Sequence, residues 1–166
     1  MRIIAIRGRS DSGKTETALA LIRELRRRGY SVIAGKDVHQ GSFSIDTPGK
    51  DSFRLGEASG EAVIVRGPAE TSFLYRRRLS AEEIAARVEA DFLVLEGFRD
   101  LQCANIACAK DEEGLAREVD ELTIAVSGVV AETIREYRGL PALSALTNAA
   151  YLADIVERAT PMWEGL

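Results

Sequence analysis

Short apolar runs at residues 3–6, 32–34, 62–65, 92–95 and 122–126 recur along the chain, separated by stretches with helical spacing. Their hydrophobicity is continuous rather than alternating. That suits parallel strands covered on both faces and predicts an α/β fold with a mostly parallel, doubly wound sheet. The first intervening helix begins near Lys14 and sets Ala18, Leu21, Ile22 and Leu25 on one stripe. It stops at Gly29, a residue suited to the left-handed position that closes a helix. Arg26, Arg27 and Arg28 fill its last turn, where cations complement the helix dipole, so the run needs no nucleic-acid surface to explain it. A second helix is announced by Ser80 and Glu83, spaced as a capping box ahead of Ile84, Ala85 and Val88. A last one spans about 148–158. Ahead of the capping box, "TSFLYRRR" predicts a hairpin or edge strand after the third run. Residues 37–50 carry no such pattern, and a polar loop of that length inside a compact domain is more often functional than idle. No repeat, low-complexity tract or linker interrupts residues 1–166, which read as a single domain.

Composition changes this picture little. With 46% hydrophobic and 29% charged residues the chain reads as an ordinary globular protein. The net charge of -4 argues against a dominant nucleic-acid surface, and base-stacking aromatics interleaved with cations are missing. The charge is unevenly spread: residues 1–99 carry 17 basic and 14 acidic side chains, residues 100–166 carry 5 and 12. No apolar run approaches the ~20 residues of a membrane span, and no charged-then-apolar leader opens the chain, so a cytoplasmic protein is expected. Cys103 and Cys108 form neither a disulfide framework nor a zinc spacing, and read as small apolar residues around a strand.

The strongest chemical signal is "GRSDSGKT", residues 8–15, between the first strand and the first helix. It fits G-x-x-x-x-G-K-[ST], the phosphate-binding loop, and narrows the fold to the P-loop NTPase type. Gly8 and Gly13 let the chain turn back so that backbone N–H groups face inward, at a helix N-terminus that favours anions. The candidate nucleotide-binding residues are Gly8, Ser10, Asp11, Ser12, Gly13, Lys14, Thr15 and Glu16. Lys14 would reach the outer phosphates, and the Thr15 hydroxyl would serve a Mg²⁺ ion shared with them.

In an open parallel sheet, ligands sit outside the carboxyl ends of the strands. Gly8, Lys36 with Asp37, Arg66, Glu96 and Ser127 end the five runs and are expected along one edge. Glu96, closing "DFLVLEGF", is the candidate acid for Mg²⁺ or for orienting water, whereas Asp91 lies at the wrong end of that strand. Lys14 and Glu96 are thus the candidate catalytic residues, and Thr15 and Glu96 the candidate metal residues.

"DTPG", residues 46–49, matches the D-x-x-G element of regulatory GTPases, but no apolar strand precedes it. The guanine-reading N-K-x-D element is also missing, since Lys110 and Asp111 are adjacent. Read as the longer unit "DTPGKDSFR", it resembles the D-x-P-G-K-D-S-x-R segment of the molybdopterin-guanine dinucleotide biosynthesis protein B (MobB) family. The order of elements over residues 1–100 is similar too: the loop with Gly13, Lys14 and Thr15, then Lys36 ending strand two, the segment 46–54, the turn 58–60 and Glu96 to Arg99. The resemblance implies a GTP-binding protein, often dimeric, with slow Mg²⁺-dependent hydrolysis. It would assist a molybdopterin guanylyltransferase, with molybdopterin itself a further ligand. Asp46, Lys50, Asp51 and Arg54 would form the family's signature loop. The chain departs from the family pattern at Lys36-Asp37, where the family has a histidine after the lysine, at Ala58-Ser59-Gly60, and after Phe98.

A small-molecule kinase on the same fold is the alternative. Arg76, Arg77 and Arg78 would then form a lid, with Asp37 or Asp51 as base.

Overall fold

Ile3, Ile4, Ala5 and Ile6 are all buried because their strand, β1 (Arg2–Arg7), runs through the middle of the sheet with both faces covered. The computed structural model describes residues 1–39, 41 and 43–165. After β1 come α1 (Lys14–Arg27), β2 (Val32–Lys36), α2 (Asp51–Ser59), β3 (Ala62–Arg66), β4 (Thr71–Tyr75), α3 (Ala81–Ala85), β5 (Phe92–Glu96) and β6 (Asn105–Cys108). The chain continues with α4 (Glu112–Glu118), β7 (Thr123–Ser127), a 3₁₀ turn (Val129–Glu132), the short strands β8 (Glu136–Tyr137) and β9 (Leu140–Pro141), and α5 (Ala145–Ala159). Five strands form one parallel sheet in the order β2-β5-β1-β6-β7. In its register Ile6 and Lys36 both stand beside Glu96.

Side chains alternate between the two faces of a strand. Ile4, Ile6, Val94 and Ile106 pack with Leu21 and Leu25 of α1 and Leu152 and Val156 of α5. On the other face Ile3, Leu93 and Leu95 meet Ala81 and Ala85 of α3, while Ala107 and Val126 meet Leu115 of α4. The sheet is therefore doubly wound, as the continuous apolar runs predict.

α1 ends where its sequence says it must. Gly29 takes φ 93°, and the Tyr30 N–H turns back to the Leu25 carbonyl at 3.2 Å. Arg27 and Arg28 both clamp Glu24, whose carboxyl is held down to about 2 by its hydrogen bonds to those guanidinium groups. Arg28 also reaches Asp154 at 2.7 Å and Glu157 at 3.1 Å on α5, so part of the arginine run ties the two helices together. The capping box forms: Ser80 Oγ accepts from the Glu83 N–H, and Glu83 Oε2 from the Ser80 N–H. α3 closes early, at Ala85. α5 starts at Ala145, before the expected boundary, with Asn148 at a non-helical φ of -127° inside it.

Three features differ from the sequence expectation. The run at 62–65 is not in the parallel sheet: β3 pairs with β4 as a separate antiparallel hairpin, closed by the Gly67 N–H on the Glu70 carbonyl at 2.8 Å. The connection is too short for the crossover a parallel pair needs, so the expected hairpin partner takes β3 with it. Arg66 is accordingly not at the sheet's carboxyl edge. Its place in the sheet is filled by β6, whose Cys108 is fully buried, with Cys103 just ahead of the strand. The segment from Asp46 is a loop only as far as Lys50, and Asp51 and Arg54 lie on α2, where Gly60 at φ 71° forms the closing turn. Gln40 and Ser42, inside the irregular stretch, lie outside the described residues. Among the described residues no helix is long and apolar enough to cross a membrane.

Candidate functional site

The loop from Gly8 to α1 is shaped by close backbone approach. Gly8 has φ 152°, and a Cβ there would stand 2.3 Å from the Cys108 carbonyl oxygen of β6. Gly13 has φ 88° at the N-cap of α1, where a Cβ would meet the Gly128 Cα at 2.9 Å. Gly128 itself has φ 79°, with the position of a Cβ only 2.0 Å from the Ser12 carbonyl oxygen. That carbonyl accepts the Val129 N–H at 3.2 Å. Asp11 adopts the left-handed conformation at φ 56°. The loop is thus wedged between the ends of β6 and β7, with Ser10 and Asp11 exposed at its tip.

Lys14 folds over the loop and its ammonium donates to the Arg9 carbonyl at 2.6 Å. Asp11 lies 3.5 Å from the Lys110 ammonium, and Glu16 is exposed on the first turn of α1. Ser12 Oγ is buried with no hydrogen-bond partner among the described residues. Thr17, one turn into the helix, meets the Ser127 hydroxyl at 3.2 Å. Beside the loop lie a cavity of about 510 Å³ toward α4 and smaller ones of about 120 and 150 Å³ on either flank of α1.

Thr15 and Glu96 come together as expected: the Thr15 hydroxyl donates to Glu96 Oε1 at 3.0 Å. Lys36, which ends β2 at the same edge, adds a second donor: its ammonium donates to the same oxygen at 2.9 Å. One oxygen of a half-buried carboxylate therefore takes a neutral and a charged donor. Mg²⁺ prefers few protein oxygens and shares the rest of its shell with phosphates and water. The hydroxyl and carboxylate side by side fit that demand, and among the described residues no group of three or more His, Cys, Asp or Glu forms a fuller cage. Cys108, under the loop, has its thiol pushed up to about 12 by burial and is no nucleophile there.

The signature residues are held elsewhere. Asp46 Oδ1 accepts from the Ser52 hydroxyl at 2.9 Å and from the Thr47 N–H at 3.0 Å, closing the turn that leads into α2. Its Oδ2 lies 3.8 Å from Arg76 of the hairpin. Lys50 caps α2, and Asp51 and Arg54 pair with each other at 3.5 Å on its exposed first turns. Among the described residues no hydrogen bond or ion pair links these four side chains to the phosphate loop, Lys36 or Glu96. Arg77 forks onto Glu83, and Arg78 donates to Asp37 at 2.8 Å.

A parallel sheet of this order, with a wedged GKT loop leading into α1 and an acid ending the neighbouring strand, defines a protein of the P-loop NTPase class. Comparison with known proteins narrows the class. The sequence model of the family described as molybdopterin guanine dinucleotide synthesis protein B matches residues 3–131, and the chain belongs to that family. The family's description is one of molybdopterin guanine dinucleotide synthesis. The crystal structure of Bacillus subtilis MobB superposes with a TM-score of 0.76 at 24% identity, covering 98% of this chain and 100% of that one. A crystal structure of molybdopterin-guanine biosynthesis protein B (mobB) gives 0.67 at 26% identity, covering 94% and 97%. A more distant likeness, 41% identity over 87 residues, links 52% of the chain to the ATP-dependent dethiobiotin synthetase BioD of Caulobacter sp. (strain K31). The chain spans 36% of that relative's length.

Proposed function

We propose that this chain binds GTP with Mg²⁺ in the loop of residues 8–16 and acts in the cytoplasm, as a homodimer, as an accessory to the guanylyltransferase that joins GMP to molybdopterin. The observation that carries the reading is the meeting of Thr15, Lys36 and Glu96 at the mouth of the loop. Loop N–H groups and Lys14 hold the phosphates, with Thr15 and Glu96 serving the ion. Bound there, Mg²⁺ would neutralise charge on the outer phosphates. Glu96 Oε1 already accepts from the Thr15 hydroxyl and the Lys36 ammonium, so that oxygen is not free to orient an attacking water. Binding therefore dominates and hydrolysis to GDP and phosphate is slow.

The test is a comparison of GTP, ATP and GDP affinities with Mg²⁺, followed by mixing with a molybdopterin guanylyltransferase. Micromolar GTP binding and faster dinucleotide formation are expected; no guanine nucleotide binding refutes the reading. A second reading, γ-phosphate transfer to a metabolite, draws support from the ATP-dependent relative. Labelled γ-phosphate appearing only as free phosphate across a metabolite panel removes it.

A further inference from the structure

A cavity of about 800 Å³ is separate from the phosphate loop. It lies between the end of β2, the segment leading into α2, and the hairpin strand β4 with the arginines that follow. Its size falls within the range of small-molecule sites, roughly 300–1,000 Å³.

Two features of its wall call for a ligand. Phe43 and Phe73 leave 57% and 63% of their surface exposed there, with Tyr75 beside them at 36%. Aromatic faces left to water favour a flat partner. The second feature is Arg76. Its guanidinium sits 4.2 Å over the Phe53 ring and 3.8 Å from Asp46 Oδ2, but donates no hydrogen bond among the described residues. Asp46 Oδ2 is itself buried with no hydrogen-bond partner among the described residues. A half-buried guanidinium with its donors unspent is poised for a second anion, and a forked donor suits phosphate. Arg77 and Arg78 also line the cavity, each already paired with an acid, Glu83 and Asp37.

The rim also adjoins the first site. Asp37, which holds Arg78, donates its N–H to the Glu96 carbonyl at 2.9 Å.

We infer that this cavity is a second ligand site, taking a planar heteroaromatic molecule with an anionic tail of the phosphorylated pterin class. Its rings would lie against Phe43, Phe73 and Tyr75, and its phosphate would take the free donors of Arg76. The choice of pterin over other flat anions rests on the reading above, that the chain works beside the attachment of GMP to molybdopterin. Both ligands would then be held by one chain, with the pterin phosphate on the Glu96 side of the sheet.

Pterins fluoresce, so the experiment is a quenching titration of the full chain with neopterin monophosphate and with unphosphorylated neopterin, each with and without saturating GTP. The expected result is tenfold or greater preference for the phosphate ester, undiminished by GTP. Phe73→Ala, a change on an exposed strand position, should weaken both pterins at least fivefold. Arg76→Lys should weaken only the ester. Equal affinity for the two pterins, displacement by GTP, or wild-type affinity in Phe73→Ala overturns the inference. So does a dimer-to-monomer shift in Phe73→Ala with pterin affinity intact, which would assign the aromatic face to a contact between copies. Failure of GTP itself to bind removes the reading of the phosphate loop, while the pterin titration still decides the cavity.

Discussion

Lys36 and Glu96 end neighbouring strands at the same level of the sheet, and the ammonium of one lies 2.9 Å from the carboxylate of the other. Glu96 Oε1 is therefore already engaged, by the Lys36 ammonium and the Thr15 hydroxyl, and the carboxylate is fixed at the mouth of the loop. In Glu96→Gln, Mg²⁺-dependent GTP hydrolysis should fall by about tenfold or more while nucleotide affinity changes far less. Single-turnover hydrolysis alongside equilibrium binding checks this. Equal turnover would move the ion's protein ligand elsewhere.

Lys14 opens α1, and its ammonium hydrogen-bonds only to the Arg9 carbonyl among the described residues. Lys14→Ala should leave thermal stability intact and remove a charge-assisted contact worth about 3 kcal/mol, a loss of about a hundredfold in triphosphate affinity. Calorimetric titration with GTP reads it, and unchanged affinity refutes the assignment.

Gly128 lies far along the chain from the phosphate-loop motif, yet a methyl group there would collide with the Ser12 carbonyl oxygen at 2.0 Å and would sit at φ 79°. Gly128→Ala should cost about 2 kcal/mol or more in stability, lowering Tm by about 5 °C or more. It should also weaken nucleotide binding, because the phosphate loop must shift. A thermal melt with and without GTP separates the two effects.

The Glu24 carboxyl is held at about 2 in the folded protein, below its ordinary 4.5, by Arg27 and Arg28. A depressed carboxylate stabilises the fold fully above its unfolded value, and that contribution is lost as pH falls from about 4.5 toward 2. In Glu24→Gln the acid-side decline of Tm across this window should flatten, with stability lower at neutral pH. Melting curves from pH 2 to 7 decide it.

The phosphate loop was readable because its chemistry is contiguous: eight residues carry the glycines, the lysine and the hydroxyl. Glu96 was readable as the first acid after a buried run. Lys36 is recognisable as the end of strand two, but its partnership with Glu96 depends on strand order, which no local pattern encodes. β6 gives no apolar run of its own, only two cysteines that read as lying around a strand, because it is four residues long and opens with a buried Asn105. That polar side chain is satisfied by Asp120 at 2.8 Å and Thr123 at 2.9 Å, a network that only the folded chain assembles. β3 misled in the opposite way: Ile64 and Val65 look like core residues but are exposed on the hairpin. The signature segment was visible as a motif, while its attachment to Arg76 came from the pairing of distant pieces.

The collar that β6 and β7 form around residues 8–13 has a bearing on recognition. A cradle already braced by neighbouring backbone before any guest arrives loses little freedom on closing over an anion, so the favourable contacts appear almost undiminished as affinity. The same rigidity limits how far the mouth can open. Discharge of a spent diphosphate would then be gated by the neighbouring side chains rather than by movement of the loop itself.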